Sequence, residues 1–262
     1  MRIARCVSIS AADAAPFYGV VQGEPGHETV AAIKGDPFFN GVEPTGETHP
    51  LEDVRLLAPI IPRSKVVGIG RNYADHAKEM GNDLPTEPSM FLVANTAVVG
   101  PGDPVVLPEW SEEVSYEGEL CVVIGRICKD VPAEKAADVI FGYTVGNDFT
   151  ARDKQRTDLQ WARAKSFDTS KPLGPWIETD LDVEDLRLTT TVNGQTKQDG
   201  STADMVFGVD ELVAAVSAAF TLLPGDVIMT GTPAGVGLVR DGDRVEVEIE
   251  GLGALANPVV RR

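Results

Sequence analysis

Residues 116–125 read Y-E-G-E-L-C-V-V-I-G and residues 141–149 read F-G-Y-T-V-G-N-D-F. Within them, 120–124 and 141–145 are continuous apolar runs of strand length. Such runs suit strands covered on both faces. Working outward, residues 65–68, 90–93, 97–99, 227–230 and 245–249 are further short apolar stretches, punctuated by Gly and Pro. Residues 185–192 run into Asn193-Gly194, a strong hairpin signal. Helical patterns are few. Leu212, Val213, Val216 and Phe220 place an amphipathic helix over 209–220, and 132–139 has helical composition. Residues 74–80 predict a helix stopped by Gly81-Asn82. Strands that do not alternate regularly with helices argue against a doubly wound sheet or a TIM barrel. They predict a strand-rich α+β fold.

At 262 residues the chain has room for one large domain or two modest ones. Residues 1–60 read as a small separate α+β unit: short strands at 2–8 and 17–22, then a loop-rich stretch at 36–50. Pro59-Ile60-Ile61-Pro62 reads as a linker, leaving 61–262 as a second, larger domain.

The chain carries 40 acidic and 23 basic residues, a net charge of −17. Without a Lys/Arg run, that balance excludes nucleic acid and anionic membranes as partners. Three cysteines with no C-x-x-C predict a reducing, cytoplasmic setting. The start M-R-I-A-R-C-V-S-I-S lacks the apolar core of a signal peptide. With only three histidines, a bound metal must lean on carboxylates, which favours Mg²⁺, Mn²⁺ or Ca²⁺.

Five groups of residues could carry chemistry. Glu117 and Glu119 are two apart ahead of an apolar strand, so they share a face. Alone they read first as a solvated surface pair, with cation ligands as the alternative. Asp148 ends the next strand, with Arg152 and Gln155 following, and reads as a metal ligand beside an anion site or as a helix N-cap. His76 and Glu79 are three apart on a helix, the spacing of an oriented general base or of an ordinary surface pair. The G-D-V-I-M-T-G-T-P-A-G-V-G run at 225–237 offers close backbone approach to a ligand or a plain turn. No G-K-[ST] follows it, so it is not a P-loop. Lys165, in A-R-A-K-S-F-D, could pair with a substrate carboxylate or lie exposed.

Taken in order, G-R-N-Y-A-D-H-A-K-E-M, Y-E-G-E-L-C-V-V-I-G, N-D-F-T-A-R-D-K-Q, A-K-S-F-D and G-D-V-I-M-T-G-T-P-A-G-V-G resemble the fumarylacetoacetate hydrolase family over about residues 60–260. The resemblance implies a mixed β-roll, a homodimer and Mg²⁺, with Mn²⁺ or Ca²⁺ as substitutes. It implies Glu117, Glu119 and Asp148 as the metal ligands, and His76 and Glu79 on a mobile lid over 72–88. It implies Lys165 as a catalytic group and Arg71, Tyr73, Arg152, Gln155 and Thr232 around the substrate. Two positions depart from the family pattern. Ser115 stands where an Asp is frequent, and Val93-Ala94 stands where many members read Lys-Pro after Phe-Leu.

The implied chemistry is that of a small anionic 2-oxo acid chelated by a hard cation, reacting through a metal-stabilised enolate. Isomerisation or decarboxylation of the 2-hydroxyhepta-2,4-diene-1,7-dioate and 5-oxopent-3-ene-1,2,5-tricarboxylate type, in aromatic-compound catabolism, leads. Acylpyruvate hydrolysis and oxaloacetate decarboxylation follow. A catalytically silent metal- or acid-binding relative is the alternative of another class, which retention of His76, Glu79 and Lys165 opposes.

Overall fold

The structure is a computed structural model that describes residues 1–10, 14–79, 81 and 83–262. The expected helix end at Met80 and Asn82 lies outside these residues.

Two buried strands, Gly118–Ile124 and Ile140–Asn147, pair antiparallel at the centre of a twelve-stranded sheet. Their apolar runs are continuous because both faces are covered. Val122 and Ile124 pack beneath Leu212, Val213 and Val216 of the helix Val209–Ala219. Leu120 and Val145 meet Leu188, Val247, Ile249 and Leu255 of a second, five-stranded sheet. On the other face Cys121 and Val123 pack with Val66, Val93, Leu173 and Ile177. Each such side chain contributes about 1.5–3 kcal/mol on burial.

Beyond Gly118–Ile124 the sheet continues through Val227–Met229, which runs parallel to Val66–Gly70, itself paired with Ser89–Val93. Beyond Ile140–Asn147 comes Lys171–Glu178, and then Arg2–Ser8, with Arg2 and Ile3 opposite Glu178 and Ile177. The N-terminal strands thus extend the same sheet as the rest of the chain. A small third sheet joins Val114–Tyr116 to Thr150–Ala151 and Gly237–Leu238. This is the strand-rich mixed architecture that the sequence predicts. No helix among the described residues is long and apolar enough to cross a membrane.

Several local expectations need correction. The stretch 36–50, read as loop-rich, holds a short helix, Pro37–Asn40, and a strand, Pro44–Pro50. That strand, P-T-G-E-T-H-P, is exposed and lies at the sheet edge against Thr29–Ile33, so no core-facing alternation marks it. The helix over 132–139 is a 3₁₀ segment, Ala133–Asp138. Residues 97–99 divide between a 3₁₀ turn, Asn95–Ala97, and a two-residue strand, Val98–Val99. The Pro59–Pro62 segment is irregular, but Ile60 is buried in the core beside Val66 and Val227, which anchors it.

Candidate active site

The register of the central strand pair assembles the site. Gly118 lies opposite Asn147 and Glu119 opposite Gly146, which sets Glu117 and Asp148 side by side at the strand ends. The Asp148 amide donates to Glu117 O at 2.8 Å, and the Glu117 amide donates to Asn147 Oδ1 at 2.9 Å. Carboxylate oxygens of Glu117, Glu119 and Asp148 lie within 4.8 Å of one another, and all three residues are at least 96% buried. Gly118 is required between the two glutamates, because a Cβ there would stand 2.3 Å from Thr190 Oγ1.

The loop after Val227–Met229 closes over this end. Thr230 and Thr232 hydroxyls donate to Leu120 O and Gly118 O, at 3.0 and 2.8 Å. The Gly231 amide donates to Glu119 Oε2 at 2.9 Å. Gly231 has φ +98°, and a Cβ there would stand 2.9 Å from Asn72 Cβ, so this close approach needs glycine. Gln198, from the hairpin turned at Asn193-Gly194, accepts from the Gly118 amide and donates to Thr232 Oγ1 and Pro233 O.

Three buried cations face the three carboxylates. Arg152 opens the short helix Arg152–Thr157. Its Nε donates to Ser115 Oγ at 2.7 Å, Nη1 to Gln155 Oε1 at 2.8 Å, and Nη2 to Glu117. Ser115 thus orients the guanidinium. Lys165 Nζ lies 2.6 Å from Glu117 Oε2 and 2.8 Å from Asp148 Oδ2. Lys171 Nζ lies 2.7 Å from Asp148 Oδ1. Asp148 is not a helix cap; the residue before this helix is Ala151.

Burial acts on every group here, and the neighbours decide the outcome. Burial pushes Glu117 up, but Arg152 and then Lys165 outweigh it and hold its carboxyl below the usual range. Glu119 lacks such a partner: burial, then Asp148 and Glu117, push it well up. Lys165 loses by burial and gains more from Asp148 and Glu117, so it is raised. Burial wins at Lys171, which is lowered despite Asp148. A buried trio of carboxylates with one ionisation opposed, offering only oxygen donors, fits a hard divalent cation.

His76 and Glu79 lie on the helix Ala74–Glu79. His76 is 7% exposed, with Nδ1 3.4 Å from Glu79 Oε2. Both Glu79 carboxylate oxygens accept from the Gly235 amide, at 3.1 and 3.2 Å, which ties the helix to the loop over the carboxylates. A cavity of about 240 Å³ is lined by Arg71, His76, Glu117, Glu119, Arg152, Gln155, Lys165 and Thr232, together with Arg156 and Trp161, which the sequence did not single out. Arg71 has φ +61° and no ion-pair partner among the described residues, so its charge is available to an anion. The expectation for Tyr73 needs correction. It does not line this cavity; it is buried and lines a neighbouring pocket with Asp75, Asp199 and Asp204. Val93 is buried among apolar neighbours, so no cation stands there. The sequence also passed over Lys171, Asn147, Gln198 and Asn72. Each is fully or almost fully buried. Asn147 and Lys171 border apolar strand runs, which was an available signal, whereas Gln198 lies in the polar strand Gln195–Ser201 and Asn72 in no strand, so neither carried one.

Comparison with known proteins agrees with this geometry. Residues 65–260 match the sequence model of the fumarylacetoacetate (FAA) hydrolase C-terminal domain, and residues 1–59 match an Rv2993c-like N-terminal domain. A solved 2-hydroxyhepta-2,4-diene-1,7-dioate isomerase from Mycobacterium marinum superposes with a TM-score of 0.91 at 49% identity, covering 100% of this chain and 99% of that one. Human mitochondrial oxaloacetate tautomerase FAHD2A is 45% identical over 223 residues, 80% of this chain and 71% of that protein. Fumarylpyruvate hydrolase from Pseudomonas aeruginosa, solved in complex with Mn²⁺ and pyruvate, superposes with a TM-score of 0.73 at 32% identity, covering 88% and 94%. These relatives are an isomerase, a tautomerase and a hydrolase on one fold, and the Mn²⁺ complex accords with a divalent-cation site at the carboxylate trio. From strand register to family match, the observations agree that this chain belongs to the fumarylacetoacetate hydrolase family.

Proposed function

We propose that this protein is a divalent-metal-dependent isomerase that relocates a proton on a small 2-oxo dicarboxylic acid, of the 2-hydroxyhepta-2,4-diene-1,7-dioate isomerase type. The reading extends to decarboxylation of the related tricarboxylate. One observation carries it: His76, paired with Glu79, lines the same small cavity as Glu117, Glu119, Lys165 and Arg152. Moving a proton needs one oriented acid–base group and an electron sink, and no attacking water. The relatives support this order. The isomerase shares 49% identity and the fumarylpyruvate hydrolase 32%. Tautomerisation, the activity in the name of the 45% identical relative, is proton relocation too.

Glu117, Glu119 and Asp148 hold the cation, Mg²⁺ in this reading, with Mn²⁺ or Ca²⁺ as substitutes. When bound, it supplies a Lewis acid that polarises the 2-oxo group. Arg152 fixes Glu117 through Nη2, and its remaining donors, with Gln155 and Thr232, orient the substrate. Arg71 binds the distal carboxylate by charge. Lys165 bridges Glu117 and Asp148, offsetting their repulsion, and offers its remaining proton to the substrate's anionic end. Glu79 accepts from His76 Nδ1, which leaves Nε2 to take the proton from one carbon and return it to another. Trp161, packed edge-on against Phe91, walls the cavity against water. The enzyme works as a cytoplasmic homodimer on this small acid, without a nucleic-acid or membrane partner.

The test is a panel of hydroxy-dienedioates, oxaloacetate and acylpyruvates with Mg²⁺ and Mn²⁺. Isomerisation should be the fastest reaction. His76→Ala should lower kcat by roughly 10²–10⁴ with cation affinity nearly unchanged. Turnover confined to acylpyruvate cleavage, or wild-type isomerisation by the His76→Ala protein, would overturn the reading.

A further inference from the structure

Lys171 opens the strand Lys171–Glu178 and exposes no surface at all. Its ammonium donates to Phe149 O at 3.0 Å, Ser170 O at 3.1 Å and Ser170 Oγ at 3.0 Å. Those three bonds match its three protons. Nζ still lies 2.7 Å from Asp148 Oδ1, an oxygen with no hydrogen bond of its own. The pair is therefore held by charge, with the lysine fixed in place by backbone and Ser170. Asp148 Oδ2, in contrast, faces Lys165 Nζ, which lines the cavity. The two carboxylate oxygens are thus in different surroundings: Oδ2 beside a cavity residue, Oδ1 beside a cation that does not line the cavity. A buried charge is costly to keep, and Pro172 and Leu173 beside it are buried without one.

We propose that Lys171 is a positioning residue that sets which divalent cation the site prefers. Its ammonium, 2.7 Å away, stands in the place a cation would need to reach Oδ1, so Asp148 coordinates through Oδ2 alone, the oxygen that Lys165 faces from the cavity. Ca²⁺ takes six to eight oxygens and favours carboxylates that give both, whereas Mg²⁺ demands compact octahedral geometry with single oxygens. One-oxygen coordination by Asp148 therefore biases the site toward Mg²⁺ and Mn²⁺ and away from Ca²⁺. The inference rests on the ligand assignment made under Proposed function.

Calorimetric titration of chelator-treated protein with Mg²⁺, Mn²⁺ and Ca²⁺ tests it. Lys171→Met keeps an unbranched stem of similar bulk, one atom shorter, and removes the charge. Losing that charge alters the affinity for all three divalent ions alike, so the ratio of their dissociation constants isolates the freed oxygen. The Ca²⁺-to-Mg²⁺ ratio should shift toward Ca²⁺ by at least about tenfold, with the far-ultraviolet circular dichroism of the native protein. An unchanged ratio in the folded variant overturns the proposal. Should the variant not fold, wild-type crystals soaked in Mn²⁺ decide. Asp148 bound through Oδ2, with Oδ1 still against Lys171, supports the proposal, and two-oxygen binding by Asp148 overturns it. Wild-type protein that takes up no divalent cation overturns the ligand assignment and this proposal together. Wild-type binding with an unmoved ratio removes only the role of Lys171.

Discussion

Glu119 is the carboxylate with the fewest neighbours to balance it. Glu117 meets Arg152 and Lys165, and Asp148 meets Lys165 and Lys171, whereas Glu119 accepts one backbone amide. Glu119→Gln keeps the shape and the Gly231 contact but removes a charge from the donor set. Neighbours of metal ligands typically matter by 10–100-fold, so losing a ligand charge should weaken Mn²⁺ binding by at least about 100-fold, read by calorimetry. A change under threefold would remove Glu119 from the cation site. This residue was legible because Glu117 and Glu119 stand in a short motif ahead of an apolar run. Lys171 was not. It lies beyond the Asp148 motif, and only the pairing of Ile140–Asn147 with Lys171–Glu178 brings them together. Tyr73 failed the other way: it stands inside a motif, yet its ring turns to a different pocket.

At the scale of elements, the helix Ala74–Glu79 is held at both ends. Asn72, just before it, donates to Phe207 O and Thr230 O and accepts from the Phe207 amide. Asn72→Ala strands those partners and should cost about 2–4 kcal/mol in urea unfolding. A loss below 0.5 kcal/mol would mean that water replaces the side chain at about no cost. Glu79 ties the far end to Gly235. Glu79→Ala should speed amide exchange over residues 74–79 by at least about tenfold, while the central strands stay protected. Unchanged exchange there would show that Asn72 alone anchors the helix. Elements with a local signature were readable: Asn193-Gly194, with φ of +52° and +76°, closes the expected hairpin. Elements defined only by their neighbours were not. Pro44–Pro50 is a strand because Thr29–Ile33 lies beside it.

On the scale of the molecule, the N-terminal strands carry their own small core of Ala4, Cys6, Val21, Val30 and Val54, with Trp176 of the strand Lys171–Glu178 packed against it. Cys6 records how well this core is sealed. Burial pushes its thiol from 9.0 up to about 12, only partly offset by Arg5. A thiol raised in the folded state leaves stability intact below pH 9. Stability is then lost as pH climbs toward 12, because the unfolded chain ionises first. The urea midpoint should therefore fall faster between pH 8.5 and 10.5 in the wild type than in Cys6→Ala, with parallel slopes counting against a sealed core. Light scattering at micromolar concentration should return twice the 27.9 kDa chain mass; a single chain's mass would refute the homodimer.

The strand Val66–Gly70 has one neighbour close in sequence, Ser89–Val93, and another, Val227–Met229, that lies far along the chain. On the ribosome, an almost wholly apolar strand therefore waits with one edge open until Val227–Met229 has emerged. The Gly231 amide that steadies Glu119 arrives later still. Glu117, Glu119 and Asp148 are thus made well before the loop that closes over them. A message cut short before Val227–Met229 therefore yields an adhesive edge for chaperones to guard.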